Sequence, residues 1–139
     1  MTKDVLITIS GIQMMDEDDM DIEMMVRGDY YQKNGKHYIL YEEVLEGFTG
    51  TVKNIIKISP DSMDIIKKGI ANTHMQFEKD KKNLSCYNTP MGDMVVGIQA
   101  RDIRINEQPD RLTVDVEYSL DINYEHLSDC SIRVGVQSV

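Results

Sequence analysis

The chain has 139 residues, with 15 Lys+Arg against 24 Asp+Glu for a net charge of −9, and 41% hydrophobic and 28% charged residues. A length close to the usual domain of roughly 150 residues predicts a single domain over 1–139 with one core, and the composition excludes a disordered tail or a collagen-like repeat. The acidic balance argues against a nucleic-acid partner, whose phosphates need a Lys/Arg surface, and against docking on an anionic membrane.

At the start of the chain, MTKDVLITISG sets Asp4 after a lone lysine and runs into apolar–polar alternation. That is not the uninterrupted apolar stretch of a signal peptide. No window reaches the roughly 18 apolar residues of a membrane helix, so a soluble cytoplasmic protein is expected. Cys86 and Cys130 form no CxxC or Cys/His pair, which predicts two free thiols in or near the core and no zinc site.

The dominant hydrophobic period is two. It predicts strands over 4–11, 20–33, 36–45, 50–58, 62–68, 71–79, 83–89, 92–105, 111–124 and 130–138. Val5, Ile7 and Ile9 alternate with Leu6, Thr8 and Ser10. Met20, Ile22, Met24 and Val26 oppose Asp21, Glu23, Met25 and Arg27, which makes Met25 an exposed residue or an oligomer contact. Val52, Asn54, Ile56 and Ile58 share a face, as do Thr73, Met75 and Phe77, and as do Leu112, Val114, Val116, Tyr118, Leu120 and Ile122. Ile132, Val134 and Val136 close the chain. In 92–105 the apolar parity runs through Met94, Val96, Ile98 and Ala100, then switches to Ile103 and Ile105. A β-bulge near Arg101-Asp102 accounts for that switch.

Turn chemistry separates the strands. Asn34-Gly35 is a hairpin signal, because both residues tolerate positive φ. Turns are also expected at 59–62, 80–83, 89–92 and 107–110, and a weaker one at Leu127-Ser128-Asp129. Many strands joined by short turns predict an all-β, antiparallel, meander-type barrel of about 8–10 strands, since closure removes exposed edges.

The candidate sites are few. Asp16, Glu17, Asp18, Asp19 and Asp21 carry more than half of the negative excess, but no glycine or flanking helix makes an EF-hand of them, so a solvated loop is expected. Of the clustered Met14, Met15, Met20, Met24 and Met25, all but the outward Met25 are expected to fill an irregular core. His37, His74 and His126 sit on separate elements, with His74 on the wet face, and they predict no metal site. No nucleophile elbow, Gly-rich phosphate loop or cofactor motif is present, so neither a catalytic residue nor a cofactor is assigned.

The informative positions are polar residues on apolar faces. Asn54 stands among Val52, Ile56 and Ile58, and Tyr118 among Val116 and Leu120. Glu42 shares a face with Tyr38, Leu40 and Val44, although the face of Ile39, Tyr41 and Glu43 is nearly as apolar. Tyr87 belongs to a short strand of open parity. Buried polar groups need partners, from an internal network or from a ligand.

Several segments together resemble the YwiB-like bacterial family of unknown function. They are Tyr41-Glu42-Glu43, Gly50-Thr51-Val52-Lys53-Asn54, Ile56-Lys57-Ile58, Lys67-Lys68-Gly69, Met75-x-Phe77, Tyr87-x-Thr89-Pro90-x-Gly92 and Val116-Glu117-Tyr118-Ser119-Leu120. The likeness runs from about residue 4 to 138. It implies a calycin-like (lipocalin-like) β-barrel and carries no established activity. The chain has no tryptophan, so the Gly-x-Trp of true lipocalins is missing, and Lys67-x-Gly69 stands where the family favours Arg-x-Gly.

The leading expectation is a non-enzymatic cytoplasmic barrel holding a small, partly apolar ligand in its interior, with Glu42, Asn54, Tyr87 and Tyr118 as polar contacts. An interior filled by Met, Ile and Tyr would count against it. The second is a solid-core structural or interaction barrel that self-associates, in the simplest case as a homodimer. The third is a small hydrolase or isomerase using Glu42 or Glu43 with a tyrosine, which requires a carboxylate and a phenol converging in one cleft.

Overall fold

Strict alternation leaves each strand one apolar face to bury, and a closed sheet buries all of those faces at once. The computed structural model describes residues 2–11, 23–44, 50–69, 72–89 and 92–139, and within them that pattern builds ten strands and no helix. They are β1 Asp4–Ser10, β2 Glu23–Lys33, β3 Lys36–Val44, β4 Thr51–Ser59, β5 Ser62–Gly69, β6 Thr73–Glu78, β7 Lys82–Thr89, β8 Gly92–Gln108, β9 Arg111–Ile122 and β10 Glu125–Ser138. The acidic run 16–21 with Met14, Met15 and Met20, and the turn at Pro90-Met91, lie outside the described residues. No described helix is long and apolar enough to cross a membrane.

The ten strands form one antiparallel sheet in the order β6-β5-β4-β3-β2-β1-β10-β9-β8-β7. β1 is the keystone, with Ile7 opposite Val26 on β2 and Val136 on β10. Wrapping brings the two outer strands, β6 and β7, against each other and gives a nearly closed barrel. One end, the hairpin end, carries the turns at 34–35, 60–61 and 109–110. At the other, the far end, β1, β3, β5 and β7 finish.

The inward faces follow the sequence pattern. Ile39, Ile56, Ile58, Met63, Phe77, Ala100, Leu112, Val114, Val116 and Val134 have no exposed area. A void able to hold water would leave area on its lining, so these side chains fill the middle of the barrel. The register slips between Ala100 and Asp102, which is the expected bulge, and it moves Ile103 and Ile105 back to the inner face opposite Val116 and Val114. Asn34 (φ 53°) and Gly35 (φ 74°) form the expected hairpin turn.

Three expectations are corrected. The last hairpin turns at Asn123 (φ 50°) and Tyr124 (φ 70°), not at 127–129, and β10 therefore begins at Glu125. Asn tolerates the left-handed region, while the His126/Ser128 register shift breaks the alternation that would have marked the strand. Both cysteines are free, but only Cys130 is buried; Cys86 is exposed on the outer face of β7. On β3 the inner face is His37, Ile39 and Tyr41, so Glu42 points outward.

Gly28 on β2 lies against this inner face. A side chain there would run into the Leu40 carbonyl and come within 2.6 Å of Ile7 Cδ1 and 3.2 Å of Tyr41 Cβ. Tyr41 therefore occupies the inner space that Gly28 leaves free.

Candidate functional site

The ladders place polar inward residues in rows at the far end. Tyr41 stands opposite Asn54, Asn54 opposite Lys67 and Lys67 opposite Thr73, linking β3, β4, β5 and β6. One step further out, Glu43 stands opposite Val52. The Lys67 ammonium donates to Glu43 Oε1 at 2.8 Å, so these two half-buried charges neutralise each other.

Asn54 is 1% exposed. Its Nδ2 donates to the Val52 carbonyl at 3.3 Å, while its Oδ1 has no hydrogen-bond partner among the described residues. Tyr41 is buried beside it, and burial, helped by the Glu43 carboxylate, pushes the phenol well above its ordinary pKa. Both groups are neutral near pH 7.

Tyr87 and Tyr118 approach from the other side. Tyr118 is fully buried, with its ring edge-on to Phe77. Burial raises its pKa strongly, with smaller contributions from the neighbouring Cys130 thiol and from Tyr87. Tyr87 lies on the inner face of β7, packs against the core, and is raised by burial alone. Its hydroxyl donates to the His74 carbonyl at 3.4 Å.

This contact belongs to the seam between β6 and β7. Every other neighbouring pair in the sheet is joined by a ladder. Across this seam, Ser85 Oγ donates to the His74 carbonyl at 2.9 Å and Asn83 Nδ2 to the Gln76 carbonyl at 3.5 Å. Toward the far end the seam carries an open surface groove of about 510 Å³, lined from the outer face by Lys68, His74 and Cys86 and from the inner face by Lys67, Ser85 and Tyr87.

Of the four residues expected to contact a ligand, only Tyr87 lines the seam groove; Tyr118 is buried in the core, and Asn54 stands in the row that reaches the groove through Lys67 and Thr73. Glu42 points outward and rims a saddle of about 570 Å³ with Asp4, Arg27, Asp29 and Lys53, whose lining also includes Tyr41 and Asn54. The filled middle counts against the expected ligand in the barrel's centre: the polar side chains surround no central void and collect at the far end and the seam.

Sequence reasoning passed over Tyr41, Lys67 and Ser85. The parity of His37, Ile39 and Tyr41 was the available signal for the first. The other two depend on which strands become edges, a long-range outcome that no local pattern carries. At the hairpin end, Tyr30 and His37 are buried, and the Tyr30 hydroxyl and His37 Nδ1 share a 2.5 Å hydrogen bond. His37 Nε2 lies 3.7 Å from Glu107 Oε1, so this polar cluster ties β2, β3 and β8 together. Met25 is 62% exposed on the outer face of β2, and His74 lies on the wet face beside Asp64. Among the described residues, no three His, Cys, Asp or Glu converge on a metal position.

The geometry defines a small, nearly closed all-β barrel with a packed middle and a polar far end. The chain belongs to the family described as a domain of unknown function, DUF1934, whose pattern it matches over residues 7–134. It is 25% identical over 113 residues to the uncharacterised beta-barrel protein YwiB of Bacillus subtilis (strain 168), covering 80% of this chain and 78% of that protein. Its fold is similar to the crystal structure of ywiB protein from Bacillus subtilis, with a TM-score of 0.79 at 18% identity, covering 99% of this chain and 92% of that one.

Proposed function

We propose that the protein is a non-enzymatic cytoplasmic binding barrel that takes a small, partly apolar molecule at its far end. Asn54 carries this reading. A buried carbonyl oxygen without a partner costs about 1–3 kcal/mol, and a hydroxyl or N–H on a guest offsets that cost. Tyr41 on β3, opposite Asn54, supplies a further hydroxyl, and Val52 supplies apolar surface beside it. The ion pair of Lys67 with Glu43 neutralises the half-buried charge of the inner row, which favours a neutral guest there. Two free thiols fit a reducing compartment.

Fluorescence titration with N-phenyl-1-naphthylamine, a neutral apolar probe with one N–H, tests the reading. Saturable enhancement that is weakened by Asn54→Leu is expected. Absence of saturable binding, or binding unaffected by that substitution, counts against it.

The packed middle favours one rival: a solid barrel that acts through its surface, including by pairing with a second copy. Sedimentation at several concentrations separates the two. A concentration-dependent dimer that binds no probe supports the rival, and a monomer that binds the probe supports the binding barrel.

A further inference from the structure

We propose that the β6–β7 seam is a lateral gate in the barrel wall, latched by Ser85, Tyr87 and Asn83 and hinged at the 79–81 turn. The gate deepens the binding reading, since it gives a guest a path to buried groups such as Asn54.

β6 has six residues and is hydrogen-bonded by a ladder on one side only, to β5. β7 likewise has a ladder only to β8. Among the described residues, the hydrogen bonds between them are three side-chain donors of β7 on two carbonyls of β6, beside the packing of Phe77 into the core. One of these bonds is short, Ser85 Oγ to His74 O at 2.9 Å. The other two, from Tyr87 at 3.4 Å and Asn83 at 3.5 Å, are long for hydrogen bonds. A full antiparallel ladder over the same length would be far harder to part.

The two ends of the seam differ. At the hairpin end it is pinned: the Asp80 amide donates to the Ala100 carbonyl at 3.0 Å, the Lys79 amide to Asp61 at 3.3 Å, and the Lys81 amide to Glu78 at 3.2 Å. Asp80, at φ 60°, makes the sharp corner there. The bulge in β8 helps to form this pin, because the register slips immediately after Ala100. Toward the far end there is no such pin among the described residues, and the groove of about 510 Å³ lies there. Opening therefore swings from the far end about 79–81. It uncovers Tyr87 and the row Thr73–Lys67–Asn54 behind it.

Local opening free energies follow the density of hydrogen bonds and apolar contacts, so this seam is where the wall parts first. Hydrogen exchange read by mass spectrometry on the full chain tests the gate without any guest. Amides of 73–78 are expected to exchange about tenfold or more faster than those of 112–120 in β9, which has a ladder on both sides. The double variant Ser85→Ala/Tyr87→Phe, which deletes two latch bonds, should speed exchange of 73–78 about tenfold further and leave 112–120 unchanged. If the double variant does not fold, Ser85→Ala alone is read in the same way. Protection of 73–78 equal to that of 112–120, or no response to loss of the latch, overturns the proposal. A seam that opens in a protein that binds no probe sinks the binding reading and keeps the gate. Probe binding with a fully protected β6 does the reverse.

Discussion

Phe77 and Tyr118 meet edge to face inside the barrel, their ring centroids 5.0 Å apart and their planes at 73°. No ladder joins their strands, β6 and β9, so this contact ties two parts of the wall through the interior. It also fills the middle, with Phe77 fully buried and Tyr118 1% exposed. Aromatic pairs of this geometry are worth about 0.5–1.5 kcal/mol beyond the area they bury. Phe77→Ala is therefore expected to lose about 3–5 kcal/mol in urea unfolding. Tyr118→Phe, which keeps the ring and removes the hydroxyl beside Cys130, should lose about 1 kcal/mol. Equal losses for the two would mean that the hydroxyl, not the ring contact, holds this region.

Gly28 and Tyr41 give a second test of packing. An added Cβ at position 28 meets backbone and the Ile7 side chain, neither of which can swing aside. Gly28→Ala should cost about 1–3 kcal/mol by overpacking. The double variant Gly28→Ala/Tyr41→Ala should not recover that loss, because the Leu40 carbonyl and Ile7 remain in place. A neutral Gly28→Ala in chemical denaturation would contradict this packing.

The alkaline limb of stability should be set by buried phenols. Tyr41 and Tyr118 are pushed up chiefly by burial, and Tyr30 and Tyr87 are raised by the same cause. The folded state then holds these protons more tightly than the unfolded chain. The contribution is complete below the unfolded value near 10 and is lost as pH rises through the folded values. Melting temperature should fall above about pH 10. Phenolate absorbance near 295 nm from Tyr41 and Tyr118 should appear together with unfolding. Ionisation of all seven tyrosines in a chain that stays folded would contradict it.

Asn54 should trade stability against binding. Leucine at this position removes the orphaned Oδ1 and keeps a similar volume on an apolar inner face. Asn54→Leu is expected to raise unfolding free energy by about 1 kcal/mol while weakening probe binding. A destabilised variant would show that the amide has a structural duty.

Most of the barrel was legible in the chain because alternation is a local signal with a global consequence. The strand faces of Val52–Ile58 and Leu112–Ile122, the Asn34-Gly35 turn and the bulge after Ala100 all follow from parity and turn chemistry. The face of β3 was not decided locally, since Glu42 and Glu43 flank equally apolar sets. The neighbouring strand decides it, because the register sets Ile39 and Tyr41 opposite Ile56 and Asn54 on the buried face of β4. The turn at Asn123-Tyr124 was hidden because tyrosine rarely takes a positive φ. The site was legible only in part. Asn54 and Tyr118 announce themselves as polar groups on apolar faces. The seam residues do not, because Ser85 gains its partner only when the sheet wraps and sets β7 against β6.

The central claim is that a small neutral molecule binds at the far end, behind the seam. Its most direct measurement is an amide and side-chain-amide NMR titration of the full chain with N-phenyl-1-naphthylamine. Saturable shifts at the Asn54 carboxamide and at the amides of Lys67, Thr73, Tyr87 and Tyr118 are expected, with the saddle residues Arg27, Asp29 and Glu42 unmoved. Shifts confined to that outer saddle, or none that saturate, would contradict the claim.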